Sequence, residues 1–424
     1  MTRLRPFRAL RYDPGRVELG RVVVPPYDVV SADDRETFYE RDPHNAIRLE
    51  LTRNVADEAT TDYADVRETL DRWRSDAVLI RDDEPSLYTL RQTFTAPEGG
   101  HHTREGFFAL LHLEDYERRI VRPHERTLAG PKADRLKMLR ATGANLSVVF
   151  LLYEDRDQQL SDALGPGFGG EVLGAAEDAS GAVHALGRLS DPAAIAGVCD
   201  FFADRPVVIA DGHHRYETSL AYRDELVDTV DGEAHDAPQE WMLAYFANAY
   251  APGTLLLPIH RLVLQGAMPT DAVFAERLPD WRVETLEVES AEAVPEVLAK
   301  HLEPLSDRHA FAVDDASGRL RLFVKERVQD DELTVRIIHR DVIDGAFGLD
   351  EAAVHAGAIV YPKSALQTAR DLRAGQGVAA IYLNALTAQD VFRVTAAGEV
   401  LPQKSTFFFP KLPSGLLFRL LDEA

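Results

Sequence analysis

Residues Pro206 to Leu226, PVVIADGHHRYETSLAYRDEL, change their hydrophobic period part-way along, and few folds accommodate such a change. Pro206 to Ala210 is a branched apolar run, the pattern of a buried strand. Asp211-Gly212 supplies a turn, and Tyr216, Leu220 and Ala221 then recur at helical spacing. A strand that runs straight into a helix places His213, His214 and Arg215 at the helix start. The first backbone N–H groups of a helix have no partner inside it, and the macrodipole adds partial positive charge, so such a turn suits an anion. Gly212 lets a phosphate approach the backbone, His213 helps to hold it, and Arg215 can fork onto two phosphate oxygens.

Asp211 is out of place in a phosphate cradle unless it holds Mg²⁺ or takes the proton of an attacking hydroxyl. His214, titrating near neutrality, can donate to a developing oxyanion or shuttle a proton. Two other readings use the same residues. In the first, Asp211 caps the helix, Arg215 pairs with Glu217 or Asp224, and the histidines close a buried hydrogen-bond network. In the second, His213 and His214 join His124, Glu125 or His260 at a divalent metal, against which stands the missing i, i+4 spacing of two-histidine helix sites.

Further groups stand where chemistry is feasible. Arg122-Pro123-His124-Glu125, then Thr127, Lys132, Asp134 and Arg135, crowd a loop broken by Pro and Gly, so His124, Glu125 and Arg135 are candidates for supporting a substrate. Lys404, in QKST before Phe407-Phe408-Phe409, can place a point charge on a phosphate. The glycines of a P-loop are missing upstream of it. The phenylalanine run reads as a buried strand or a dimer contact rather than a base-stacking platform. His260 follows an apolar strand, a position that hosts sites in α/β sheets and equally suits a satisfied core histidine. Tyr27-Asp28 after Pro25-Pro26 is a rigid turn first.

At 424 residues the chain exceeds one ordinary core. It reads as a mixed α+β and α/β multidomain protein: an N-terminal α+β domain at 1–153, a loop-rich connection or hairpin at 154–185, a segment carrying DGHHR at 186–270, and a C-terminal α/β domain at 271–424. Expected strands include Asn45 to Leu51, Ser86 to Phe94 and Glu105 to Glu114. The net charge of −23 repels nucleic acid and anionic membranes, and only seven residues are lysine. The single cysteine, Cys199, excludes intrachain disulfides and CxxC chemistry. With no signal-peptide core and no long apolar run, a cytoplasmic location is expected.

The DGHHRYE segment, with VVPPYDVVS (Val23 to Ser31), RPHERTLAGPKADR (Arg122 to Arg135), ANAYAPGTLLLPIHRL (Ala247 to Leu262) and LPQKSTFFFPKLPSG (Leu401 to Gly415), resembles the domain-of-unknown-function 1015 family across nearly the whole chain. More distantly, Leu189 through Leu226 is similar to the superfamily of ParB, sulfiredoxin and the free serine kinases, which implies a nucleotide-binding core with phosphates on the GHHR turn. The kinase likeness puts phosphoryl transfer on Asp211, with His214 and Arg215 on phosphate, and makes Asp191 the nearest candidate in order for addressing the substrate hydroxyl, beside a capping role. Sulfiredoxin chemistry needs a cysteine where His213 stands, and clamping of DNA conflicts with the acidic charge.

The expectation is therefore a phosphotransferase using ATP or ADP with Mg²⁺ on a small, serine-like hydroxylated metabolite, with a homodimer possible and no nucleic-acid or membrane partner. A non-catalytic nucleotide or metabolite switch and a histidine-metal hydrolase are the alternatives.

Overall fold

The computed structural model describes residues 1–53, 61–97, 99–125, 130–227, 236–328 and 332–422. A nine-stranded mixed sheet forms its centre, in the order Val121–Arg122, Val207–Asp211, Val149–Tyr153, Trp241–Asn248, His101–His112, Leu87–Thr95, Val183–Leu189 and Val172–Glu177, with Leu4–Arg5 added beside His101–His112. Val207–Asp211 runs parallel to Val121–Arg122 and antiparallel to Val149–Tyr153, which is itself parallel to Trp241–Asn248. Both faces of this sheet are covered, so its middle strands carry apolar residues almost continuously. All eight residues of Trp241–Asn248 are buried.

Alternate residues feed two cores. Phe107, Leu151, Ile209 and Phe246 pack on one face with Val198 and Phe202 of helix Pro192–Phe202 and with Tyr216 of helix His213–Val227. Phe108, Phe150, Val208 and Tyr245 share the opposite core with Phe311, Ile338 and Phe408. That second core joins the large sheet to a six-stranded antiparallel one, ordered Arg282–Glu287, Arg319–Lys325, His309–Asp314, Ala379–Leu383, Arg261–Val263 and Ile359–Val360. Helices Val294–His301 and Ala365–Arg373 cover the far face of the smaller sheet.

The mixed α+β class read from the sequence is the class observed. Segment 154–185 holds helix Ser161–Gly169 followed by the hairpin Val172–Glu177 and Val183–Leu189, which forms one edge of the large sheet. Its glycines serve packing rather than looseness: a Cβ at Gly167 would lie 2.5 Å from Thr89 Cγ2, and Thr89 Oγ1 donates to the Gly167 carbonyl at 2.8 Å. The strand expected over Asn45 to Leu51 is instead the short helix Ile47–Glu50. Asn45 explains the difference, because its side chain accepts the Ile47 N–H at 3.0 Å and so starts a turn, as Asn does at helix entries. Among the described residues no helix is long and apolar enough to cross a membrane.

Candidate active site at the end of strand Val207–Asp211

Gly212 turns the chain from strand to helix with φ of +91°, a conformation that glycine adopts without strain. A Cβ there would meet the Arg215 guanidinium at 3.1 Å. Arg215 folds back over the turn, donating from Nη2 to Asp211 Oδ2 at 2.8 Å and from Nη1 to the Val148 carbonyl. The other oxygen of Asp211 is held by Lys411 Nζ, from a residue 200 positions further along the chain. Burial opposes ionisation of Asp211, but Lys411 and Arg215 outweigh it and hold the carboxyl at about 2. Asp211 is thus a fixed negative charge at neutral pH and a weak base.

Two more lysines approach the same place. Lys363 Nζ lies 3.7 Å and Lys411 Nζ 5.4 Å from the centre of the Phe407 ring, as cation–π contacts. Burial, then Lys411 and Lys404, push the Lys363 ammonium below its ordinary value, while Asp28 works the other way. Three of the seven lysines therefore gather beside one helix N-terminus in a strongly acidic chain. The sequence reading singled out Lys404 alone. Scarcity of lysine was the signal available for Lys363 and Lys411, since scattered lysines would not cluster.

The Tyr27 ring faces Arg135 at 4.3 Å and Arg215 at 5.8 Å. Arg135 also donates to the Glu50 carbonyl at 3.0 Å and pairs with Asp134 at 2.9 Å. A cavity of about 50 Å³ opens on this side of Arg215, lined among others by Glu50, Arg135, Ser147, Thr218 and Ser219. Glu50 is only 1% exposed. The Glu50 carboxylate stands 3.7 Å from Arg135 as an ion pair, but both its oxygens, Arg215 Nε and Thr218 Oγ1 lack hydrogen-bond partners, so the cavity presents acceptors and donors to a polar occupant.

The histidines behave differently from one another. His213 Nε2 accepts the His124 backbone N–H at 3.2 Å, and the two rings touch at 4.7 Å between centroids. Burial, then the neighbouring His124, holds His213 well below its ordinary value, so its ring is neutral. His124 is committed to the Ile209 carbonyl and, at 2.8 Å, to Thr406 Oγ1. Glu125 stands 3.8 Å from His124 Nε2. The buried histidine network allowed by the sequence is present, whereas Arg215 pairs with Asp211 in place of Glu217 or Asp224. Among the described residues no three His, Cys, Asp or Glu side chains gather as a metal site. His214 Nε2 is buried and has no partner.

Two candidates lie apart. Asp191 caps helix Pro192–Phe202, accepting the Ala194 N–H at 2.8 Å, and follows a strand five places from Val207–Asp211, ~24 Å at ordinary strand spacing. His260 is buried against Tyr382 at 5.2 Å and accepts the Leu383 N–H at 3.4 Å. Burial, reinforced by Arg261, drives it down to about 3. The Phe run forms strand Phe407–Phe409, paired with Leu255–Leu257, and Phe408 is core.

Parts of all five quoted motifs meet here: Tyr27 and Asp28, His124 and Arg135, Asp211 to Arg215, Leu255–Leu257 beside strand Phe407–Phe409, and Lys404 to Lys411. The sequence profile of the protein family of unknown function DUF1015 matches residues 4–352. The chain belongs to that family. No functionally curated protein matches it. Among solved structures, a conserved hypothetical protein from Pyrococcus furiosus is 14% identical with a TM-score of 0.34, covering 74% of this chain and 96% of its own. A free serine kinase in complex with AMP is 12% identical with a TM-score of 0.34, covering 71% of this chain and 86% of its own. SbnI from Staphylococcus aureus, truncated at its C-terminus, is 10% identical with a TM-score of 0.33, covering 72% and 86%.

Proposed function

We propose that this DUF1015 chain is a nucleotide-dependent phosphotransferase acting on a small hydroxylated metabolite. The observation that carries the reading is the convergence of Lys411 and Arg215 on Asp211 at a helix N-terminus, with Lys363 close to both Lys411 and Lys404. Cations and free backbone N–H groups at one turn are complementary to a chain of phosphates. The polar cavity behind Arg215 supplies a place for the acceptor, with room for about three to five water-sized groups.

In this reading incoming phosphates draw Lys411 away from Asp211 and free one carboxylate oxygen. Arg215, held to Asp211 and the Val148 carbonyl, keeps its orientation as the phosphates arrive. The freed carboxylate oxygen would serve one of two roles: it would hold Mg²⁺, which when bound would supply charge neutralisation on the transferred group, or it would face the substrate hydroxyl. In the second role, a carboxyl at about 2 is too weak a base to deprotonate a hydroxyl in advance, so Asp211 would orient it and receive its proton as the new O–P bond forms. The bond from the transferred phosphorus to the bridging oxygen of the nucleotide would break in the same step, the nucleotide leaving one phosphate shorter. His213, neutral and committed to His124, positions the turn, and His214 with its unpartnered Nε2 is the group available to donate to a phosphate oxygen.

One observation favours a non-catalytic nucleotide switch: both Asp211 oxygens are ion-paired, so phosphate binding would by itself rearrange the Lys411 segment. The two readings separate in one experiment. Thermal melts with AMP, ADP, ATP and CTP, with and without Mg²⁺, are run on the wild type, Lys411→Met and Asp211→Asn. A nucleotide-specific rise lost in Lys411→Met, together with phosphate transfer to a panel of hydroxylated metabolites that Asp211→Asn abolishes, is the expected result. Binding without turnover selects the switch. No rise with any nucleotide refutes both.

A further inference from the structure

Arg261 begins a strand of the smaller sheet and is 1% exposed. A guanidinium buried so deeply is ordinarily paired with a carboxylate, because an isolated buried charge is strongly disfavoured. Among the described residues no carboxylate lies within ion-pair distance of Arg261. Its contacts are neutral: the Ile259 carbonyl, the Lys404 carbonyl at 3.4 Å, His339 Nε2 at 3.4 Å and the Tyr361 ring at 5.5 Å. Its Nε has no partner at all. Burial drives this guanidinium down to about 10 and His339 to about 4, so the histidine brings no charge to the cluster at neutral pH.

Arg261 lines a cavity of about 30 Å³, together with Arg308, Arg327, Thr334, Asn384 and Ser405. Asp390 also borders it, but its carboxylate is taken by Arg327 and by the start of helix Ala388–Ala396. Arg308 pairs outward with Glu326 at 2.9 Å. The wall is therefore cationic, with one buried donor unspent, and its volume matches about two to three water-sized groups.

We propose that this cavity binds one compact oxyanion, a phosphate or carboxylate group of a small metabolite, as the missing counter-ion of Arg261. The site is separate from the Asp211 turn and stands whether or not that turn transfers phosphate. It is linked to it in one way: Arg261 also holds the carbonyl of Lys404, at a residue with φ of +57°. An anion that reorients the guanidinium changes the support of the loop that carries Lys404.

The test uses the full chain, melted against inorganic phosphate at constant ionic strength, as wild type, Arg261→Met and Lys411→Met. The expected result is a saturable rise in melting temperature that persists in Lys411→Met and is weakened about tenfold or more in Arg261→Met. Without phosphate, Arg261→Met should melt no lower than the wild type, because it removes an unpaired buried charge. A rise lost in Lys411→Met and kept in Arg261→Met would put the anion at the Asp211 turn alone and overturn the proposal. Absence of a rise with phosphate, sulfate and acetate also overturns it. Should Arg261→Met fail to fold, Arg308→Ala decides, at a side chain 39% exposed: weakening of about two- to fivefold is expected, and unchanged affinity refutes the site.

Discussion

Replacing Asp211 by Asn keeps the shape of the side chain and deletes the charge that Lys411 and Arg215 share. The folded carboxyl sits at about 2 against an ordinary value of 3.8, a gap worth ~2 kcal/mol. The side chain is only 14% exposed, so solvent screening takes little from this figure. Because the folded value is the lower one, the stabilisation is fully present above the unfolded value and lost as pH falls through the folded one. It should stand at ~2 kcal/mol at pH 7 and about half of that near pH 3. Urea unfolding of wild type and Asp211→Asn, followed by far-UV circular dichroism at pH 7, 4 and 3, measures the difference directly. The variant should be weaker at pH 7 by about this amount, because protonation and the substitution remove the same pairing with Lys411 and Arg215, and the gap should narrow toward pH 3. A difference below ~0.5 kcal/mol at pH 7, or one independent of pH, would show that the ion-paired arrangement of Asp211 is not what holds the turn.

Gly212→Ala forces a left-handed conformation on a residue with a Cβ and presses it against Arg215; a loss of ~1–2 kcal/mol in urea unfolding is expected, with a diminished nucleotide response in thermal melts. Gly253→Ala would drive a Cβ into the Thr103 carbonyl, a backbone group that cannot swing aside, and should cost ~3 kcal/mol or more by the same measurement. His213→Phe keeps the ring volume but leaves the buried His124 N–H without its acceptor, for an expected loss of ~1–3 kcal/mol that does not vary between pH 6 and 8, because the ring it replaces is neutral there.

The local part of the site was legible because one stretch of sequence determines it. The apolar run to Ala210, the Asp-Gly turn and the helical spacing after it all appear as read. Helix Pro192–Phe202 is capped by Asp191, a role open to that residue in the sequence. What escaped was set by distance. The partner of Asp211 is 200 residues away, and no periodicity links the two. Strand Trp241–Asn248, at the middle of the large sheet, was missed because burial on both faces erases the alternation that marks a strand. The cavity beside Glu50 and the bare guanidinium of Arg261 are properties of packing, and a sequence does not list what a side chain lacks.

The segment 401–422 crosses almost everything the chain builds. Leu401 joins His124, Phe407–Phe409 pairs with Leu255–Leu257, Ser414 bridges Val24, Phe418 bridges Leu10, and Arg419–Leu420 pairs with Ala144–Asn145. During synthesis these residues leave the ribosome after every strand they join, carrying Lys404 and Lys411 with them. Each strand of the large sheet can therefore be made while its cationic site is still incomplete. Lys411 reaches Asp211 only once these pairings have formed, so the ion pair at the turn reports that the last segment has docked.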